Sequence, residues 1–350
     1  MRAAVFYGAR DIRIEDVPEP QPGPGEVAIA VAHNGLCGSD LHEYLMGPLF
    51  IPTAPHPLTG AQLPVIMGHE FSGTVVEVGP GVTTVASGDR VAVEPLYHCG
   101  HCRPCNTGSY NTCRSAAFHG LMANGGGLSE RTVVTEAMVH RLPATVSLEQ
   151  GALVEPMSVA LHAVRRSGVT AGDPAVVFGA GPIGIGAWFA LRSLGAGPIV
   201  VVETSAERRA TMLALGADHV LDPTTADVIA ECAAISGGEG VAVAIDAAGV
   251  PATAVGALRA LRPGGHAVSV AIYGAPVELD ANMLMGEITW TGSLAYTAAD
   301  FAEVIGYMAA GEYVTDGWVR HIGIDELDVG LDAMAEGRAV KLLVDIDSGS

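Results

Sequence analysis

The sequence predicts an α/β chain in which a doubly wound parallel sheet is inserted into a mainly β unit. Three observations carry that prediction. From about residue 168, apolar strand-like runs alternate regularly with helix-like segments. The glycine-rich turn 179–184 lies between the first of those strands and a segment with helical apolar spacing. On either side of this stretch the pattern changes to short β segments and mixed elements. The expected boundaries are 1–155 together with 294–350 for the outer unit, and 156–293 for the inserted one.

Taken in order, 3–7, 12–15, 26–32, 70–78 and 90–93 read as strands because β-favouring residues are bounded there by Gly and Pro turns. The connection 46–64, with prolines at 48, 52, 55, 57 and 64, is too long and too punctuated to be a minimal loop. We expect it to shape a substrate pocket with Leu49, Phe50 and Ile51, or to pack against another subunit. The inserted strands are 175–178, 199–203, 219–221, 241–246, 266–272 and 288–294. A helix at 298–310 and the strand 341–346 then return the chain to the outer unit.

Composition narrows the function classes. A 350-residue chain with 49% hydrophobic and 16% charged residues can bury a substantial core and is not disordered. A formal charge of -20 opposes binding to nucleic acid or to anionic lipid, since both need clustered Lys and Arg. No apolar run approaches the ~18 residues that span a bilayer, and the first residues lack the apolar core of a secretion signal. The expected location is the cytoplasm, with no membrane and no nucleic acid as partner.

Residues 179–184 read Gly-Ala-Gly-Pro-Ile-Gly, the G-x-G-x-x-G pattern between a strand and a helix. Gly179 can make the tight turn, Gly181 lets the backbone approach a pyrophosphate, and Gly184 lets helix and strand pack closely. Pro182 and Ile183 open the helix, whose N–H groups would face the phosphates. Glu203, about 20 residues further on, can accept hydrogen bonds from the adenosine ribose, which favours NAD over NADP. Arg208 and Arg209 act against that preference, because an Arg can hold a 2′-phosphate.

Two further constellations offer metal ligands. Cys99, Cys102, Cys105 and Cys113, inside a lobe at 95–115, form four closely spaced thiolates suited to a closed tetrahedral zinc site. An iron–sulfur cluster is the other occupant such spacing allows. Cys37, His69, Glu70 and Glu155 are spread along the chain and could supply a thiolate, an imidazole and a carboxylate with one position left open. Singly, each also has an ordinary reading: a small buried thiol, a turn histidine, solvated carboxylates.

The segments 35–42 (Gly-Leu-Cys-Gly-Ser-Asp-Leu-His) and 68–73 (Gly-His-Glu-Phe-Ser-Gly), the four-cysteine lobe, Glu155-Pro156 and the dinucleotide motif occur in one order. In that order the chain resembles the zinc-containing medium-chain dehydrogenases over essentially its whole length. Asp40 to Tyr44 and the inserted 55–60 give it a particular resemblance to the 2,3-butanediol (acetoin) and sorbitol dehydrogenase branch. The resemblance implies a Rossmann domain inserted into a GroES-like catalytic domain, two zinc ions per chain (catalytic and structural), NAD, and a homodimer or homotetramer. It makes Cys37 and His69 ligands of the catalytic zinc, with Glu70, Glu155 or both supplying the carboxylate. Ser39 and His42 would pass the substrate proton to solvent; alternatively, Ser39 caps the helix and His42 lies at the surface.

The implied activity is hydride transfer between NAD and a secondary alcohol, with 2,3-butanediol and acetoin as the expected pair. Sorbitol-type polyols and L-threonine are alternatives, the latter disfavoured because no Arg or Lys occurs within the ligand segments. A non-catalytic zinc- or nucleotide-binding sensor is the reading from a different class.

Overall fold

The structure is a computed structural model that describes residues 1–346. It divides into two compact units. One comprises Met1–Glu155, Thr297–Ala309 and the chain from Val319 onward; the other comprises Pro156–Tyr296 and Ala310–Trp318.

In the first unit, seven strands form the main sheet. Glu26–Gly35 is central, pairing antiparallel with Glu70–Val78, with Arg131–Thr135 and with Lys341–Asp345. The last of these pairings fixes the topology. Leu343 lies opposite Gly35 and Asp345 opposite His33, so a strand from the far end of the chain completes a sheet begun near its start. Val319–Gly323 then pairs parallel with Lys341–Asp345 at the edge. The core beneath is apolar and continuous, with Phe6, Ile29, Leu36, Met67, Phe71, Leu128 and Val344 all buried. Burying such a side chain contributes roughly 1.5–3 kcal/mol each, which ties the strands from the two ends together.

The second unit is a six-stranded, wholly parallel sheet. Its spatial order runs His219–Leu221, Ile199–Val202, Ala175–Phe178, Val241–Asp246, Leu261–Ser269, Thr289–Gly292. Numbered along the chain this is 3-2-1-4-5-6, so the order reverses beside the first strand and a crevice opens at the carboxyl ends there. Ala175–Phe178 is buried throughout, as a strand covered on both faces must be.

The fifth strand occupies Leu261–Ser269 rather than 266–272, and the sixth is confined to Thr289–Gly292. The carboxyl-terminal apolar residues of both runs, Ile272 and Leu294, are exposed. Hydrophobicity outlasts the pairing there. Among the described residues, no helix is long and apolar enough to cross a membrane.

Candidate active site and metal centres

Cys37 is the N-cap of the helix Gly38–Met46, directly after the central strand. Asp40, in the first helical turn, accepts the Cys37 backbone N–H at 2.9 Å. That bond satisfies one of the donors a helix start leaves open. Ser39 therefore does not cap the helix; its Oγ lies 3.2 Å from His69 Nε2. His42 follows one turn later on the same helical face and is half-buried.

His69 and Glu70 lie where the strand Glu70–Val78 begins, and Glu70 pairs in register with Gly35. The consequence is convergence: one ligand atom each from Cys37, His69 and Glu70 lies within 4.8 Å of the others. Glu155 is buried on the helix Leu148–Arg166 but does not belong to this group of three. Of the two expected carboxylates, the structure brings Glu70 to the thiolate and imidazole.

Two charged side chains explain how so polar a site can be buried. Lys341, only 1% exposed, donates from Nζ to Glu70 Oε2 and, at 2.9 Å, to the backbone carbonyl of Leu36. An unpaired buried carboxylate would cost several kcal/mol, and this ammonium offsets it. Asp40 lies 3.5 Å from His69 Nδ1, and neither that nitrogen nor Asp40 Oδ1 has a better hydrogen-bond partner. Burial disfavours a charged His69, but the Asp40 carboxylate and hydrogen bonds to Asp40 and Cys37 outweigh it and hold its pKa well above 6.5.

This donor set fits a zinc ion. A metal on Nε2 leaves Nδ1–H directed at Asp40, the carboxylate–histidine arrangement that fixes tautomer and ring orientation at metal sites.

Sequence reasoning missed both charged neighbours. In sequence Asp40 enters only as part of the motif that carries the family resemblance. Lys341 is 271 positions from Glu70 and only the strand pairing brings them together. No Arg or Lys lies within the ligand segments themselves; the cation brought to them, Lys341, comes from a distant strand and is occupied by Glu70.

The lobe is organised differently. Cys102 and Cys105 sulfurs are 3.4 Å apart, Cys102 and Cys113 3.8 Å, and Cys99 and Cys105 4.0 Å. A tetrahedron with zinc–sulfur bonds of about 2.3 Å has edges of about 3.8 Å, so the four sulfurs have the spacing of one closed shell. All four cysteines are free thiols. The Cys105 backbone N–H, foremost among several hydrogen bonds, lowers the Cys102 thiol to about 6. His101 bonds the Cys99 carbonyl and His98 packs on Tyr110, so neither histidine is needed as a ligand.

In the second unit, the helix Pro182–Ser193 starts with Gly181 as N-cap and proline in its first turn. Gly179 has φ +96°, a conformation that favours glycine. A Cβ on Gly184 would lie 1.9 Å from the Gly179 carbonyl oxygen, whereas one on Gly181 would meet nothing within 4 Å. Gly184 thus serves packing, and the open space at Gly181 suits the approach of a phosphate.

Glu203 follows immediately after the strand Ile199–Val202 and accepts N–H groups from Ala180 and Ser205, both at 2.8 Å. Arg209 is engaged by Asp222 at 2.9 Å and by backbone carbonyls. Arg208 stands 3.9 Å from Glu203, and its Nε is buried without a hydrogen-bond partner. Beside them a cavity of about 790 Å³ is lined by Val202, Thr204, Ile229, Val250 and Thr253, among others.

Two family models match the chain. The alcohol dehydrogenase GroES-like domain matches residues 23–144, and the zinc-binding dehydrogenase domain matches residues 182–310. The chain is 45% identical to (R,R)-butanediol dehydrogenase of Bacillus subtilis over 98% of its own length and 99% of the relative's. It is 40% identical to the enzyme of that name from Neisseria gonorrhoeae, again covering 98% and 99%. A crystal structure of 2R,3R-butanediol dehydrogenase from Bacillus subtilis superposes with a TM-score of 0.92 at 44% identity, covering 98% of this chain and 99% of that one.

Proposed function

We propose that this chain, which belongs to the zinc-binding alcohol dehydrogenase family and is a zinc-dependent, NAD-linked oxidoreductase, interconverts (R,R)-2,3-butanediol and acetoin. The observation that carries this reading is the convergence of Cys37, His69 and Glu70 in a chain so similar, end to end, to butanediol dehydrogenases. Cys37, His69 and Glu70 would hold the catalytic zinc, with Glu155 the second carboxylate that the family resemblance offers. Cys99, Cys102, Cys105 and Cys113 would hold a structural one.

When bound, zinc would supply Lewis-acid polarisation of the substrate oxygen and NAD a hydride acceptor. The chain's own residues do the rest. Ser39 Oγ, 3.2 Å from His69 Nε2, stands where it would accept the hydroxyl proton while releasing its own toward His42, one turn on, which would pass a proton to solvent. Lys341 orients Glu70 by hydrogen bonding to it, and Asp40, facing Nδ1, orients the His69 ring.

Glu43, fully buried, accepts the backbone N–H groups of Leu49, Phe50 and Ile51 and so fixes the loop expected to shape the substrate pocket. Gly179, Gly181, Pro182, Ile183 and Gly184 would cradle the pyrophosphate, Glu203 the adenosine ribose, and the neighbouring cavity the adenine ring. Arg208 lies close enough to contact the same ribose.

The same reading places the enzyme in the cytoplasm, where thiols stay reduced, as a homodimer or homotetramer. The sheet edge at Thr289–Gly292, with Met285 and Leu294 exposed beside it, offers a surface for association.

The test is NADH formation at 340 nm with (R,R)-, meso- and (S,S)-2,3-butanediol, sorbitol, L-threonine and ethanol, each with NAD and NADP. Preferential oxidation of the (R,R) isomer with NAD is expected. Preference for sorbitol or threonine would refute the substrate, and equal use of NADP would refute the role given to Glu203.

A further inference from the structure

A third group of metal-ligating side chains lies outside both sites described above. Asp345, on the last strand, sits between His33 on one neighbouring strand and His321 on the other. His33 Nδ1 is 2.8 Å from Asp345 Oδ1, and His321 Nδ1 is 2.7 Å from the same oxygen. The two imidazole rings stand at 82° to one another with centroids 5.5 Å apart. Both rings therefore direct Nδ1 at Asp345 Oδ1 from different directions. One ligand atom from each of the three residues falls within 4.8 Å of the others.

We propose that His33, His321 and Asp345 form a further metal site, selective for borderline divalent ions such as Zn²⁺, with solvent completing the coordination. Two imidazoles and a carboxylate suit zinc, copper or nickel and are poor ligands for magnesium or calcium. Metal binding would displace the two contacts to Asp345 Oδ1, each neutral imidazole offering Nδ1 to the ion and carrying its proton on Nε2. His321 carries a second element of a metal site: with Nδ1 committed, its Nε2 faces Glu149 at 3.8 Å. Ligating histidines commonly direct their other ring nitrogen at such a carboxylate.

The location gives the site a consequence. His33 belongs to the central strand, four residues before Cys37, while Asp345 and His321 come from the carboxyl-terminal strand pair. An ion there would cross-link the two ends of the chain at the sheet that carries the catalytic ligands. It would bind the folded state alone and raise its stability with zinc concentration.

The test is equilibrium dialysis of the purified, fully loaded enzyme against Zn²⁺ alone, with zinc counted per chain by elemental analysis. Wild type is compared with His321→Ala, His33→Gln and Glu149→Gln. All three positions are partly exposed, so the variants should fold, and the two donor groups described earlier stay intact in each. Wild type is expected to take up one zinc more per chain than His321→Ala and His33→Gln. Glu149→Gln is expected to retain that zinc with roughly tenfold weaker affinity. Equal zinc counts in wild type and both histidine variants would overturn the proposal and leave the three residues as a hydrogen-bonded surface triad.

Discussion

The two thiolate-bearing sites of the first unit differ in how the chain builds them. The lobe draws Cys99, Cys102, Cys105 and Cys113 from one short loop, and its ligands are all of one kind. The catalytic candidate draws Cys37, His69 and Glu70 from a helix start and a strand start that only sheet pairing brings together, and it surrounds them with the buried charges of Asp40 and Lys341. A closed shell of four thiolates has no vacancy and can only hold the lobe in shape. A three-donor set has an open position, and burying it requires counter-charges from distant parts of the chain. The chemistry and the dependence on the fold come together.

That contrast can be broken most severely at Lys341. Replacing it by Met leaves the Glu70 carboxylate buried without its ammonium, and a loss of about 3–5 kcal/mol is expected from denaturant unfolding, with Lys341→Arg recovering most of it. A Lys341→Met protein as stable as wild type would show that Glu70 needs no counter-charge. Asp40→Asn should act more gently. The helix cap survives in part but His69 loses its anionic partner, so affinity for the catalytic zinc should fall roughly 10–100-fold while the zinc of the lobe is unchanged. Metal competition with a chromophoric chelator reads the difference.

A further effect, small over any single pH unit, concerns His119, which is wholly buried between Tyr97 and Thr132. Burial lowers its pKa from 6.5 to about 3. Between those values the unfolded chain binds a proton that the folded chain refuses, so folded stability falls as pH falls below about 6.5. The slope is about 1.4 kcal/mol per pH unit. In His119→Gln that one-proton contribution should vanish from the pH dependence of the urea midpoint. An unchanged slope would contradict the assignment.

The fold was legible where local pattern and tertiary role agree. The strand–glycine–helix unit at Ala175–Ser193 needs its residues for reasons visible in sequence, and Gly184 packs against the Gly179 carbonyl as expected. The insertion topology could be read from the return of mixed segments after residue 294, and Lys341–Asp345 closes the first sheet accordingly. The short strands Val65–Ile66, Leu96–Tyr97 and Ala117–Phe118 could not be read, because two residues carry no periodicity. Arg131–Thr135 was a missed signal, since its β-branched run pairs along the central strand.

At the site, only the candidate ligand types, expected from the family resemblance, were legible in the sequence. The choice of Glu70 as the carboxylate beside Cys37 and His69 was not, nor were the roles of Asp40 and Lys341. The roles of Glu70 and Lys341 depend on register between strands, where a one-residue slip would turn each side chain to the other face, and that of Asp40 on the helix that follows the central strand. Ser39 shows the same limit. A serine near a helix start suits a cap, and only the geometry reveals that Cys37 holds that position and leaves the Ser39 hydroxyl beside the candidate ligands.

The most direct test of the account compares Cys37→Ala with Cys102→Ala, measuring zinc per chain, turnover of (R,R)-2,3-butanediol with NAD, and thermal unfolding on each. The account predicts that Cys37→Ala loses one zinc and about 10⁴-fold or more in turnover, on the order of 5 kcal/mol of transition-state stabilisation, while unfolding at nearly the wild-type temperature. Cys102→Ala should lose the other zinc and melt well below wild type, yet turn over substrate when assayed cold and folded. Substantial turnover by folded, zinc-depleted Cys37→Ala would contradict the division between a site that acts and a site that holds.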